Sequence, residues 1–193
     1  AGTIAPTPTG RIAAKFCLRH CTARLLSDGI PQVGGGGGGG GGGSAASPPT
    51  ISSVRALLRL LVGSPELGDV PVRHNEDRLN ATLAAAVRWG ADGPPGADLA
   101  SPSVKASLLA QAHFGRVPPP IADYTTDARG ALDALARLGG AALSVAVARG
   151  AGREAVVALA LAQCLAQGAW PDDPPAIQLP GLPRDRGGAA AAA

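Results

Sequence analysis

The sequence predicts an all-α protein, an antiparallel helical bundle, on three observations. Alanine and leucine dominate outside two low-complexity tracts, while aromatics are 3% of the chain and β-branched runs are few. That balance favours helices, because sheets draw on β-branched and aromatic side chains. Apolar residues also recur at helical spacing in several stretches. The connections between those stretches are short, which makes successive helices antiparallel neighbours.

Residues 1–30 read as an entry segment with a helix over 12–26, where Ile12, Phe16 and Arg19 alternate with Ala13, Cys17 and Leu25 in a mixed pattern. Residues 31–50 contain the glycine run from Gly34 to Gly43, then Ser44, Ala45 and Ala46. No side chain there offsets the backbone entropy of ordering, so a disordered Gly-rich insert is expected. The folded domain is expected over 51–182. Val54, Leu57, Leu58 and Leu61 fall at i, i+3, i+4 and i+7, with Ser52 or Ser53 as cap and Gly63 as stop. Asn75 then precedes Glu76 and Asp77, a polar cap with acids in the first turn, and Leu79, Leu83 and Val87 form the stripe that follows.

A Pro- and Gly-rich loop over 90–97 ends that helix. Ser101 followed by Pro102 signals the next start, with Val104, Leu108 and Ala112 as an apolar face running to Gly115. Pro118, Pro119 and Pro120 close it. A long helix is expected from Thr125 or Thr126, with Asp127 in its first turn, through Leu132, Leu135, Leu138 and Val145 to Gly150. Its Gly130, Gly139 and Gly140 each cost up to about 1 kcal/mol against alanine, which predicts close packing there. The last helix, over 153–167, is apolar on most sides, as expected of the central element. The tail, 183–193, places Gly187 and Gly188 before an alanine run and is expected to be disordered.

The net charge of +3 permits contact with nucleic acid without demanding it, since the basic residues are scattered among carboxylates. Three cysteines and no charged-then-apolar leader argue against a disulfide framework and for a reducing compartment, nuclear or cytoplasmic. The apolar stretch over 155–166 is too short to span a bilayer, so no membrane is expected as a partner. A phosphate-cradling loop needs glycines leading into Lys and then Ser or Thr; Lys15 and Lys105 are the only lysines, and neither has that context. No nucleotide cofactor and no catalytic residue are therefore expected in this chain.

Cys17, His20 and Cys21 stand at i, i+3 and i+4, but a fourth ligand for a metal is not evident. The favoured reading is two thiols facing a core beside an exposed imidazole, with no metal. Cys164 reads as packing, and the three histidines lack any motif for a Ser/His/Asp arrangement. The sequon Asn80-Ala81-Thr82 lies within a helix and is discounted. His74, Asn75, Glu76 and Asp77 read as a capping network. Arg129, Asp133 and Arg137 are spaced by four and form one polar line, either a solvated salt-bridge ladder or arginines facing a strand.

Several stretches carry a family resemblance in order. Gly10-Arg11-Ile12-Ala13 and Leu18-Arg19-His20-Cys21-Thr22 come first, then Pro71-Val72-Arg73-His74-Asn75-Glu76-Asp77. Ser103-Val104-Lys105-Ala106, Gln111-Ala112-His113-Phe114, Asp123-Tyr124 and Thr126-Asp127 continue, and Gln167-Gly168, Trp170 and Leu179-Pro180 complete the far end. Together they resemble the Sec63 homology domain of Ski-two-like superfamily 2 helicases.

The resemblance implies a helical bundle that closes the base of a motor ring. Its ratchet helix, over 127–149, would lie along the channel so that Arg129 and Arg137 face single-stranded RNA or DNA. It gives Arg73, His74, Asn75, Glu76 and Asp77 a structural role. The implied partners are the helicase motor and winged-helix domains and other subunits of a helicase complex. ATP and Mg would serve the parent motor, outside these residues. The alternative is a protein-protein scaffold, as in the endoplasmic reticulum translocation protein that bears the same domain. Lys15, Phe16 and Cys17 stand where the family usually has tyrosines, and Ala151 where it has tryptophan, so weaker aromatic packing is expected.

Overall fold

Residues 5–32 and 51–178 are described in this computed structural model; the expected Gly-rich insert and Ala-rich tail lie almost wholly outside them. Among the described residues the chain forms seven α-helices and no strand. They are α1 (Pro8–Lys15), α2 (His20–Gly29), α3 (Ile51–Val62), α4 (Glu76–Ala86), α5 (Pro102–Gly115), α6 (Ala122–Ala148) and α7 (Gly152–Gln167). Single 3-10 turns follow α3 at Leu67–Asp69 and α7 at Pro175–Gln178.

The single helix expected over 12–26 is two helices. Pro8 opens α1, and the Thr7 hydroxyl accepts from the Gly10 amide at 3.0 Å. The chain then turns at Cys17, which takes a left-handed φ of 51°, while the Leu18 amide donates to Ala13 O at 2.9 Å. That bond satisfies a carbonyl the helix end would leave open. Neither glycine nor proline marks the break, so no residue type there signals it locally.

The later helices keep their expected order, with shifted starts. α3 begins at Ile51, ahead of both serines proposed as its cap. Ser101 stands at the cap position of α5, but its hydroxyl meets that of Ser103 at 2.7 Å and makes no capping bond. α6 starts at Ala122, so Asp123 occupies its first turn and Asp127 lies a turn further in. Gly140 meets the expected close approach: a Cβ there would lie 3.0 Å from the Phe16 ring. Gly130 and Gly139 have nothing within 4 Å of such an atom, so packing does not account for them.

The central element is α5 rather than α7. Every residue from Val104 to Ala112 is buried, and α5 touches α3, α4, α6 and α7. α7 instead leaves Val156 and Leu159 exposed at 36% and 48%. α6 and α7 join through a tight turn at Gly150, whose φ is 68°, and run antiparallel. The apolar stretch weighed against a bilayer, 155–166, is shorter than the apolar window of α6. By length and composition this 27-residue helix could cross a membrane, but 44% of its most apolar window is buried inside the protein.

Arginines close the ends of several helices. Arg137 Nη1 donates to Phe16 O at 2.9 Å and Cys17 O at 3.1 Å, Arg149 donates to Ser27 O and Ile30 O, and Arg116 reaches Gln167 O and Gly168 O. Each sets a cation where unpaired carbonyls give a helix its negative end. Much of the scattered basic charge is therefore used inside the fold.

Candidate functional site

Lys105 sits in the most buried of the described helices, at 0% exposure. An ammonium there is tolerated only if every N–H finds an acceptor and the charge finds a partner. Both conditions are met. Lys105 Nζ donates to Pro71 O at 2.7 Å, Glu76 Oε2 at 2.6 Å and Asp127 Oδ2 at 2.7 Å. The second cation, Arg73, stands at the rim and donates to Glu76 Oε1 at 2.9 Å and Asp127 Oδ2 at 2.8 Å, with Asp123 at 3.5 Å. The Glu76 carboxylate also accepts the Arg73 backbone amide at 3.0 Å.

Two cations thus face two buried carboxylates, and the groups hold one another in charge. Burial pushes Glu76 upward, but the hydrogen bonds from Lys105 and Arg73 outweigh it and hold the carboxyl below its usual range. Asp127 follows the same balance, with Arg73 and Lys105 prevailing over burial. The Lys105 ammonium also lies 4.5 Å from the centroid of the Tyr124 ring. Tyr124 donates to Asn80 Oδ1 at 2.7 Å, and Asn80 Nδ2 to Leu99 O at 2.7 Å. Burial, then the neighbouring carboxylates, push the Tyr124 hydroxyl up to about 12.

The network joins loop 71–75, α4, α5 and the first turns of α6. Its carboxylates are ionised and fully engaged, so the arrangement serves as an anchor rather than as an acid-base pair. Of the five motif residues, Arg73 and Glu76 enter it, whereas His74, Asn75 and Asp77 face solvent. The expected capping network is not formed: Asn75 takes a left-handed φ of 66° and makes no side-chain capping bond. Asn80 of the sequon is buried within the network. The sequence reading missed the anchor itself; its one signal was a lysine inside an otherwise uncharged helix.

The cysteines correct another expectation. Cys17 lies in the break between α1 and α2, outside any helical face shared with His20 and Cys21. Both Cys17 and Cys21 are exposed rather than facing a core, and Cys21 Sγ stands 3.2 Å from His20 Nε2. Among the described residues no three His, Cys, Asp or Glu side chains gather to hold a metal. Cys164 is buried as expected, and that burial pushes its thiol up to about 12.

The polar line on α6 is not a salt-bridge ladder. Arg129 and Asp133 are exposed and form no ion pair among the described residues. Arg137 is half-buried, with Nη1 on the carbonyls at the end of α1, and its Nε and Nη2 make no hydrogen bond among the described residues. The structure therefore separates the two arginines by environment.

Residues 47–183 match the family model of the Sec63 Brl domain, which is more than half of the chain. The DExH-box ATP-dependent RNA helicase DExH14 of Arabidopsis thaliana is 33% identical over 170 residues, 88% of this chain and 7% of that protein. Activating signal cointegrator 1 complex subunit 3 of Homo sapiens is 33% identical over 181 residues, 93% of this chain and 7% of its own length. Its counterpart in Dictyostelium discoideum is 32% identical over 184 residues, again 7% of that protein. The chain spans about 7% of the length of these curated relatives. With the matched residues enclosing the buried anchor and the helices it joins, the chain belongs to the Sec63 Brl domain family.

Proposed function

We propose that this chain is the non-catalytic Sec63 module of an ATP-dependent nucleic-acid helicase, and that α6 lies along the single strand on which the motor works. The observation that carries the reading is the pairing of an anchored start with an open face on α6. Asp127 ties the helix to α4 and α5 through Lys105 and Arg73, and two residues further on Arg129 projects into solvent with no ion pair among the described residues. A rigid helix presenting an uncommitted guanidinium suits contact with phosphate or stacking on a base. The long relatives, which include a helicase named for RNA, support the context. In this reading the module works in the nucleus or cytoplasm, docked on motor and winged-helix domains and other subunits of a helicase complex.

The test is fluorescence anisotropy of labelled single-stranded RNA and DNA against the full chain. Arg129→Ala, with helicity unchanged by circular dichroism, should weaken binding several-fold and flatten its salt dependence. The double change with Arg137→Ala should weaken it further, although Arg137 also closes α1. Affinity unchanged by Arg129→Ala would remove the strand-facing role. A second reading, a protein-protein scaffold like that of the endoplasmic reticulum translocation protein, draws on the exposed Val156 and Leu159 of α7. A partner that binds these residues without nucleic acid would favour it.

A further inference from the structure

The α6 face that carries Arg129, Asp133 and Arg137 does not end at Arg137. At roughly 100° per residue, Gly140, Ser144 and Val147 continue the same face toward the C-terminal end. There α1 borders it, while Val147 itself stays 66% exposed. The Phe16 ring lies against Gly140, and Pro8, Arg11 and Ile12 share a cleft of about 550 Å³ with Leu143, Ser144 and Val147. α1 runs opposite to α6, with its last residues beside Arg137 and its first near Val147. A strand that follows the open face from Arg129 to Arg137, about 12 Å along the axis, next meets the Phe16 ring at Gly140 and so reaches α1.

What it meets there is basic. α1 carries no acidic residue in its first turn and ends on Lys15. The Lys15 ammonium lies 5.2 Å from the centroid of the Phe16 ring, which sets it beside the α6 face. Arg11 follows one turn back, about 6 Å away along the helix. Both are exposed, and neither forms an ion pair among the described residues. The Phe16 and Cys17 carbonyls, which would repel a phosphate, are already covered by Arg137. Asp133, exposed between the two α6 arginines, is the one negative charge on the line, so phosphates contact to either side of it.

We infer that α1 supplies the second half of the strand-binding surface, with Lys15 and Arg11 holding the sugar-phosphate backbone where it leaves α6. The inference rests on the proposed strand-facing role of α6. It adds that the entry helix sets the length of strand held and that this part of the contact is electrostatic and indifferent to base.

The experiment titrates labelled oligo-dT and oligo-U, each of five and of twelve nucleotides, into the full chain over a salt series. It compares the unaltered protein with Arg129→Ala and with Arg11→Ala combined with Lys15→Ala. Removing the two α1 cations should weaken the twelve-nucleotide strands about 3- to 10-fold, lower the salt slope by about 1.4, and spare the five-nucleotide strands. If Arg129→Ala weakens binding and the α1 pair changes neither affinity nor slope, the α1 surface is wrong and the α6 reading stands. If neither variant changes binding, both fail. A readout without substitution guards against misfolding: 4-thiouridine placed along the twelve-mer should crosslink to peptides carrying α1. Adducts confined to α6 overturn the inference.

Discussion

The two halves of α6 are held by different forces. Its first turns are fixed by charge, with Asp127 accepting from both Lys105 and Arg73 and Tyr124 bonded to Asn80. Its second half is held chiefly by apolar and small residues, with Leu135, Leu138, Ala141, Ala142 and Val145 buried against neighbouring helices and Arg137 adding hydrogen bonds to the end of α1. Apolar packing is non-directional, whereas three N–H groups aimed at three acceptors admit one arrangement. The comparison assigns stability mainly to the second half and the register of the helix, and so the placement of Arg129, to the first. Buried ion pairs are weak evidence for stability in themselves, and their best-attested use is in fixing register.

The largest effect expected is that of Lys105→Met. It leaves Glu76 and Asp127 buried with only the rim cation, and should cost about 3–5 kcal/mol in urea unfolding. A loss under about 1 kcal/mol would mean that Arg73 alone suffices. Leu138→Ala, in the apolar half, should cost about 2–4 kcal/mol through lost burial and the cavity left behind. The two deficits should differ in their response to acid. Glu76 and Asp127 are held below the usual carboxylate range in the fold, so their contribution is fully present above the unfolded value near pH 4 and is lost as pH falls through the folded one. The Lys105→Met deficit should therefore narrow below about pH 4, while that of Leu138→Ala stays level. Parallel curves would contradict the division of labour.

Smaller effects sharpen the picture at the glycines. Gly130→Ala meets nothing within 4 Å and should stabilise the protein by up to about 1 kcal/mol through helix propensity. Gly140→Ala pushes on the Phe16 ring at 3.0 Å and should gain less, or lose stability, with α1 loosened. Equal gains in thermal denaturation would mean that Phe16 yields freely and that α1 is not seated on that residue.

Much of this architecture was legible in the sequence, because α3 to α7 announce themselves by period and by flanking proline and glycine. The α1–α2 break was not, since Cys17 adopts a left-handed backbone that no residue type there advertises. Ser101 and Asn75 were read as caps from residue type alone; the structure keeps their positions and not their bonds. The anchor escaped for a different reason. Arg73 and Asp127 lie 54 residues apart and Lys105 and Glu76 29 apart, and local spacing carries no sign of such contacts. Glu76 and Asp127 looked like dipole-complementing acids at helix starts, a sufficient local explanation that the long-range charges displaced. The polar line on α6 was visible as a line, but its sequence could not tell that Arg137 would turn to the end of α1.

The most direct test of the central claim is the salt dependence of single-strand affinity for the full chain with and without Arg129. The account predicts binding that weakens as salt rises, with the slope reduced by about 0.7 in Arg129→Ala at unchanged helicity. Identical affinities and slopes for the two proteins would contradict it and leave α6 as a packing element alone.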